Sequence, residues 1–199
     1  GADPERVTAA PTPAGGTRDG RPHAQHGGQV VTNQLLFTIG HSNHAIGRFV
    51  DLLAMHRVAL VCDVRSSPYS RFNPQFNREP LRTALEACGI AYLFLGGELG
   101  GKPRGDEYPT DDQARFALIA GSQAFRAGLA RLLEEAASRR TAIMCAEKEP
   151  ERCHRSLLIC PHLPAGVAVH HILADGSVRE HGEQVAGSRA DDGDQPRLF

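Results

Sequence analysis

The segment Cys145-Ala146-Glu147-Lys148-Glu149-Pro150-Glu151-Arg152-Cys153-His154-Arg155 puts two thiols, several carboxylates, an imidazole and guanidinium groups into one short stretch. A thiolate beside His154, Arg155 and a helix N-terminus has a lowered pKa and can act as a nucleophile. Glu147 can then exchange protons with a reacting group. The same segment, extended to Cys160 and His162, offers soft ligands for a metal such as zinc. Structural zinc sites use pairs two to four residues apart, and of these residues Cys160 with His162 comes nearest that spacing. Taken singly, Cys145 and Cys153 read as buried small hydrophobes, the commonest fate of a free cysteine. The cluster as a whole is more than packing requires.

Three further polar segments could join it. Gly40-His41-Ser42-Asn43-His44 carries an imidazole pair, and Asp63-Val64-Arg65-Ser66-Ser67-Pro68 carries a carboxylate, a guanidinium and two hydroxyls. Downstream, Arg65, Arg71, Arg78 and Arg82 flank Ser70, Asn73 and Asn77, a set of forked donors suited to phosphate or carboxylate groups. Tyr69, Phe72 and Phe76 interleave with them, a pattern that suits stacking on a base and equally suits a loop pinned by its own aromatics. The glycines of Gly96–Gly101 form neither a P-loop nor a dinucleotide fingerprint, and a flexible turn is the expected reading. His170 and His171 read as strand residues satisfied by neighbours.

These segments need elements to hold them. Apolar runs of strand length at Leu35–Ile39, Val58–Val64, Ile90–Leu95, Thr141–Cys145 and Val167–Leu173 alternate with helical periodicity at Ile46–His56, Pro80–Cys88, Asp111–Ala120, Gln123–Arg139 and Glu151–Cys160. That alternation predicts an α/β, single-domain, three-layer fold with a mainly parallel sheet of about five strands and flanking helices. The second and fourth strands are almost unbroken apolar runs, as expected of strands buried on both faces. Asn77 and Gly89 supply start and stop signals for the second helix. Every polar segment above leaves the carboxyl end of a predicted strand, where ligands bind in open parallel sheets.

The chain has 199 residues, 41% hydrophobic and 23% charged, with a formal net charge of −1. This suits one domain with tails and argues against bulk attraction to nucleic acid or anionic membrane. The odd total of five cysteines argues for reduced thiols rather than a disulfide framework. No stretch approaches the roughly 20 apolar residues of a membrane span, and no secretory apolar core is seen, so a cytoplasmic protein is expected. Residues 1–33 and 183–199 are polar and lack periodicity, so disordered extensions are expected around an α/β domain at 34–182.

The motifs Thr38-Ile39-Gly40-His41-Ser42-Asn43, Asp63-Val64-Arg65-Ser66, Arg71-Phe72-Asn73-Pro74-Gln75-Phe76 and Cys145-Ala146-Glu147 with Cys153-His154-Arg155 resemble the bacterial family named domain of unknown function 488. The likeness runs from about Phe37 to Gly176, takes in His171-Ile172-Leu173-Ala174-Asp175-Gly176, and implies an α/β domain of prokaryotic cytosolic proteins. After Gly101 the chain has a short Lys102–Thr110 loop where relatives often carry a longer aromatic insertion. Outside that domain, Gln195, Leu198 and Phe199 resemble the peptide by which bacterial proteins dock on the DNA sliding clamp. Adjacent Leu and Phe anchors with a glutamine amide fit an apolar groove with a polar rim.

The combined expectation is an enzyme, a hydrolase or transferase, acting on a nucleotide or nucleic-acid substrate and linked to DNA repair or replication. Cys145, Glu147, His154, Asp63 and His41 are the candidate catalytic residues. Ser42, Arg65, Ser66, Asn73 and Arg155 are the candidates for holding an anionic substrate. No cofactor is expected beyond the zinc alternative. A noncatalytic nucleic-acid or sliding-clamp adaptor and a thiol redox or metal-binding protein are the competing readings.

Overall fold

The computed structural model describes residues 34–103, 105 and 108–183. Its centre is a six-stranded sheet of order β3-β2-β4-β1-β5-β6. The strands are β1 (Gln34–Gly40), β2 (Leu60–Asp63), β3 (Ala91–Phe94), β4 (Thr141–Cys145), β5 (Val167–Ile172) and β6 (Val178–Glu180). The first five pair in parallel, and β6 returns antiparallel to β5 at the edge. The sheet is thus the expected α/β architecture with one more strand. Three residues of Val-Arg-Glu, mostly exposed, give β6 no apolar signature.

Side-chain alternation along the strands divides the core in two. Leu36, Leu60, Cys62, Val64, Ile143 and Cys145 point to one face. There they meet Leu99 of α3 (Gly96–Leu99), Ile119 of α4 (Asp112–Gly121), and Phe125 and Leu132 of α5 (Gln123–Ser138). Phe37, Ile39, Val61, Ala142 and Met144 point the other way. They pack on Phe49, Leu52 and Leu53 of α1 (Ile46–Met55) and on Leu81 and Leu85 of α2 (Arg78–Glu86). Both β2 and β4 are buried along their whole length, as their sequences require.

Three local features depart from the sequence reading. Glu151–Cys160 does not form an α-helix; a 3-10 turn at Pro150–Arg152 leads into a π-helical turn at Arg155–Ile159 and a second 3-10 turn at Cys160–His162. Pro161 lacks the N–H an α-helix would use and its ring crowds the preceding turn, so the run closes early. Gly96–Gly101 is not a loose turn, because Gly96–Leu99 coil into a helical turn packed on α5. The exit of β5 at Asp175-Gly176 is a hairpin turn into β6, with Gly176 at φ +96°. His170 and His171 lie in β5 as expected, and the His171 Nδ1 meets the Thr38 hydroxyl at 2.8 Å. Among the described residues no helix is long and apolar enough to cross a membrane.

The connections determine where a ligand can enter. β1 and β2 lead into α1 and α2 on one face, whereas β4 leads into the π-helical turn on the other, and β4 lies between β1 and β2. Neighbouring strands whose connections diverge to opposite faces leave a crevice at their carboxyl ends. Cys145 ends β4 at that crevice.

Candidate active site

A cleft of about 550 Å³ opens beside the end of β4. Among its lining residues are Arg65, Ser66, Cys145, Glu147 and His154. The side chains that sequence reasoning did not single out there are Lys102, Asp112, Arg115, Phe116 and Arg152. Lys102, Glu147 and Arg152 are exposed. Lys102 follows a strand exit and Arg152 ends the Pro150–Arg152 turn, whereas Asp112, Arg115 and Phe116 belong to α4, whose helical pattern does not show that one side borders a cleft.

The loops behind the cleft are extensions of the sheet. His41 N–H donates to the Cys145 carbonyl at 2.9 Å and Ser42 N–H to the Ala146 carbonyl at 3.0 Å, continuing the β1–β4 ladder past both strand ends. Ser42 adopts φ +47°, a left-handed conformation that costs a non-glycine residue on the order of 1 kcal/mol. Gly40 makes the approach feasible, since a Cβ there would lie 1.9 Å from the Glu147 carbonyl oxygen.

Cys145, Cys153 and His154 converge so that their ligand atoms all lie within 4.8 Å of one another. His154 Nδ1 is 3.5 Å from the Cys145 sulfur and 3.7 Å from the Cys153 sulfur. Its Nε2 lies 3.0 Å from the Val64 carbonyl oxygen, which can only accept. In the neutral ring the proton therefore sits on Nε2, and the Nδ1 lone pair faces both thiols. Gly101 permits this pose, because a Cβ there would come within 2.8 Å of the His154 Cβ.

Cys145 is held as the acidic member of the thiol pair. A hydrogen bond from Cys153, bonds from the Glu147 and Ala146 backbone N–H groups, and the nearby Arg155 charge outweigh burial and bring its pKa down to about 7. Donation to Cys145 and burial push the Cys153 thiol up. Arg155 is 1% exposed; its Nε donates to the Cys153 sulfur at 3.2 Å and its Nη2 to the Glu147 carbonyl at 2.9 Å. It shapes the thiol loop from behind and does not line the cleft.

Asp63 and Arg65 form a buried unit. The Arg65 Nε and Nη2 donate to the two Asp63 oxygens at 2.9 and 2.6 Å, and Nη2 also donates to the Phe76 carbonyl at 2.8 Å. Tyr92 donates its hydroxyl to Asp63 at 2.8 Å. Arg65 Nη1 donates to His41 Nε2 at 3.1 Å, so His41 carries its proton on Nδ1, 2.8 Å from the Ser42 carbonyl. Stacked on Phe76 and pressed by burial and by Arg65, His41 has its pKa lowered to about 4. His41 and Asp63 thus spend their polar atoms inside the protein, and neither borders the cleft.

The remaining anion-binding candidates divide. The Ser66 hydroxyl lines the cleft and accepts from Lys102 N–H at 2.8 Å. Ser42 and Asn73 lie away from its lining. Arg115 borders the cleft but is committed to the carbonyls of Gly101, Pro109 and Thr110 and to Asp112. Of the wider metal candidates, Cys160 is buried with its thiol pushed up to about 12, and His162 Nδ1 faces the Leu158 carbonyl. Gln195, Leu198 and Phe199, and the expected extensions at 1–33 and 183–199 apart from Glu183, lie outside the described residues.

No curated protein and no solved structure gives a significant match to the chain. The family model "Domain of unknown function DUF488" matches residues 45–160, a span that contains Asp63, Arg65 and the whole Cys145–Arg155 segment. With more than half its length matched, the chain belongs to the DUF488 family.

Proposed function

We propose that the cleft at the end of β4 is the active site of a hydrolase or transferase acting on a nucleotide or on nucleic acid. The observation that carries this reading is the meeting, in one cleft, of a thiol with pKa lowered to about 7, an exposed carboxylate at Glu147 and the basic side chains of Lys102 and Arg152. Chemistry centres on Cys145 as thiolate, with Glu147 passing protons to and from water or a leaving group. Lys102 and Arg152 hold the phosphate, and Arg65 borders the same space. His41, Asp63 and Arg155 are positioning residues.

The nucleotide assignment has a second support. Tyr69 and Phe72 are 55% and 63% exposed on the loop that leaves β2 through Ser66 and Ser67, and Arg71 lies over the Phe72 ring at 4.7 Å. Exposed rings beside a guanidinium form a platform on which any base can stack. The test is titration calorimetry with nucleoside mono-, di- and triphosphates and a short single-stranded oligonucleotide. Binding that Lys102→Ala/Arg152→Ala weakens by at least about tenfold supports the reading. Equal affinity in the folded double variant, or no binding in the wild type, overturns it. Docking of Gln195, Leu198 and Phe199 on a sliding clamp is an independent proposal, tested by deleting Gln195–Phe199 and measuring clamp binding.

A further inference from the structure

We infer that Cys145, Cys153 and His154 bind one zinc ion whose fourth coordination position opens into the cleft. Tetrahedral zinc with sulfur at about 2.3 Å and nitrogen at about 2.0 Å places those donors about 3.5 Å apart. The two sulfur-to-Nδ1 separations here are 3.5 and 3.7 Å. The ring is also oriented as a ligand. Its distal N–H is tied to the Val64 carbonyl, the backbone partner by which metal-bound histidines commonly fix their tautomer. Both sulfurs accept further donors, from the Ala146 and Glu147 N–H groups at Cys145 and from Arg155 at Cys153. Such donors lower the charge on a pair of metal-bound thiolates.

The donors span one short loop, with Cys153 and His154 adjacent, a spacing that sequence rules for structural zinc do not contain. Three protein ligands and an open position are the pattern of catalytic rather than structural zinc. Cys145 and His154 line the cleft whereas Cys153 does not, so the open corner of the tetrahedron faces Glu147 and the substrate space. Zinc held there would supply Lewis-acid activation of a water in that corner, with Glu147 at the cleft to take its proton. With the metal in place the Cys145 thiolate is a ligand, and it is a free nucleophile only in the metal-free protein. This catalytic use rests on the reading of the cleft as the substrate site, whereas metal binding rests on the three donors alone.

The test is metal analysis of the full chain purified under reducing conditions and reconstituted with zinc, together with X-ray absorption at the zinc edge. About one zinc per chain, with two sulfur neighbours and at least one nitrogen in the first shell, is expected. Cys145→Ser/Cys153→Ser should lower occupancy by at least about tenfold, and Cys160→Ser should leave it unchanged. Cobalt substituted for zinc should give sulfur-to-metal charge transfer in the wild type. A reconstituted wild-type chain without stoichiometric zinc, a first shell without sulfur, or full occupancy in the double variant would each overturn the proposal. Zinc bound in a protein that fails to bind nucleotides would sink the substrate assignment and leave the metal site standing.

Discussion

Arg155 Nε donates to the Cys153 sulfur at 3.2 Å while its Nη2 holds the Glu147 carbonyl at 2.9 Å, so one buried guanidinium spans the loop between the two thiols. Arg155→Met removes the donors and leaves the Glu147 carbonyl and the buried Cys153 sulfur without them. A loss of about 3 kcal/mol in urea unfolding is expected, with Arg155→Lys recovering the charge but not the forked geometry. Wild-type stability in the methionine variant would refute the bracing role.

Asp63→Asn leaves Arg65 charged and buried without its carboxylate. Removing one partner of a buried pair costs about 3–5 kcal/mol, whereas the double variant Asp63→Asn/Arg65→Met should lose less than the two single losses combined. Strict additivity in the unfolding free energies would count against the pair acting as a unit.

The thiol ranking predicts a pH profile. In the presence of a chelator, alkylation of Cys145 should rise with a midpoint at about 7, and Cys153→Ala should move that midpoint up toward the ordinary 9.0 by removing the leading donor. Because the folded pKa is depressed, the associated stability is present above the unfolded value and is lost as pH falls through the folded one. Mass spectrometry of the alkylated peptide gives the rates; coincident midpoints would exclude the Cys153 donor.

Acid should weaken the fold through His41 and His171. Burial lowers both from 6.5 to about 4, so the unfolded chain takes up protons first as pH falls between those values. Stability is complete above the unfolded pKa and declines toward the folded one, by up to about 3 kcal/mol per histidine. Melting followed from about pH 7 to about pH 5 should show the decline, and His41→Gln should flatten it. An unaltered slope in that variant would remove His41 as a cause.

Gly40→Ala forces a methyl group onto the Glu147 carbonyl, a backbone atom with no flexible end to yield. The expected result is a loss of about 2–3 kcal/mol or a displaced thiol loop, read by melting and by Cys145 alkylation. Normal values of both would show that the loop has room to move.

Much of this was legible from residue patterns. The nearly unbroken apolar runs at Val58–Val64 and Thr141–Cys145 mark strands covered on both faces, and the rule that sites form at strand exits pointed to Cys145, Glu147, His154 and Ser66. What escaped depends on direction rather than type. Arg155 reads as an anion holder, but the π-helical turn points it inward at Cys153. Asp63 and Arg65, two apart on an extended segment, share a side and neutralise each other before any ligand arrives. Lys102 sits in an irregular loop where periodicity says nothing, and Arg152 sits in a 3-10 turn where periodicity pointed to a helix. Edge strand β6 is too short and polar to stand out.

The His41-to-Cys145 and Ser42-to-Ala146 hydrogen bonds carry strand register beyond the sheet's own border. Loops usually tolerate changes in length, but these two are meshed like the teeth of a zip. Adding or deleting a single residue between Gly40 and Ser42, or between Cys145 and Glu147, would slip one loop against the other and carry both sulfurs out of alignment with the imidazole. Residue count in these segments is therefore as restrictive as residue identity.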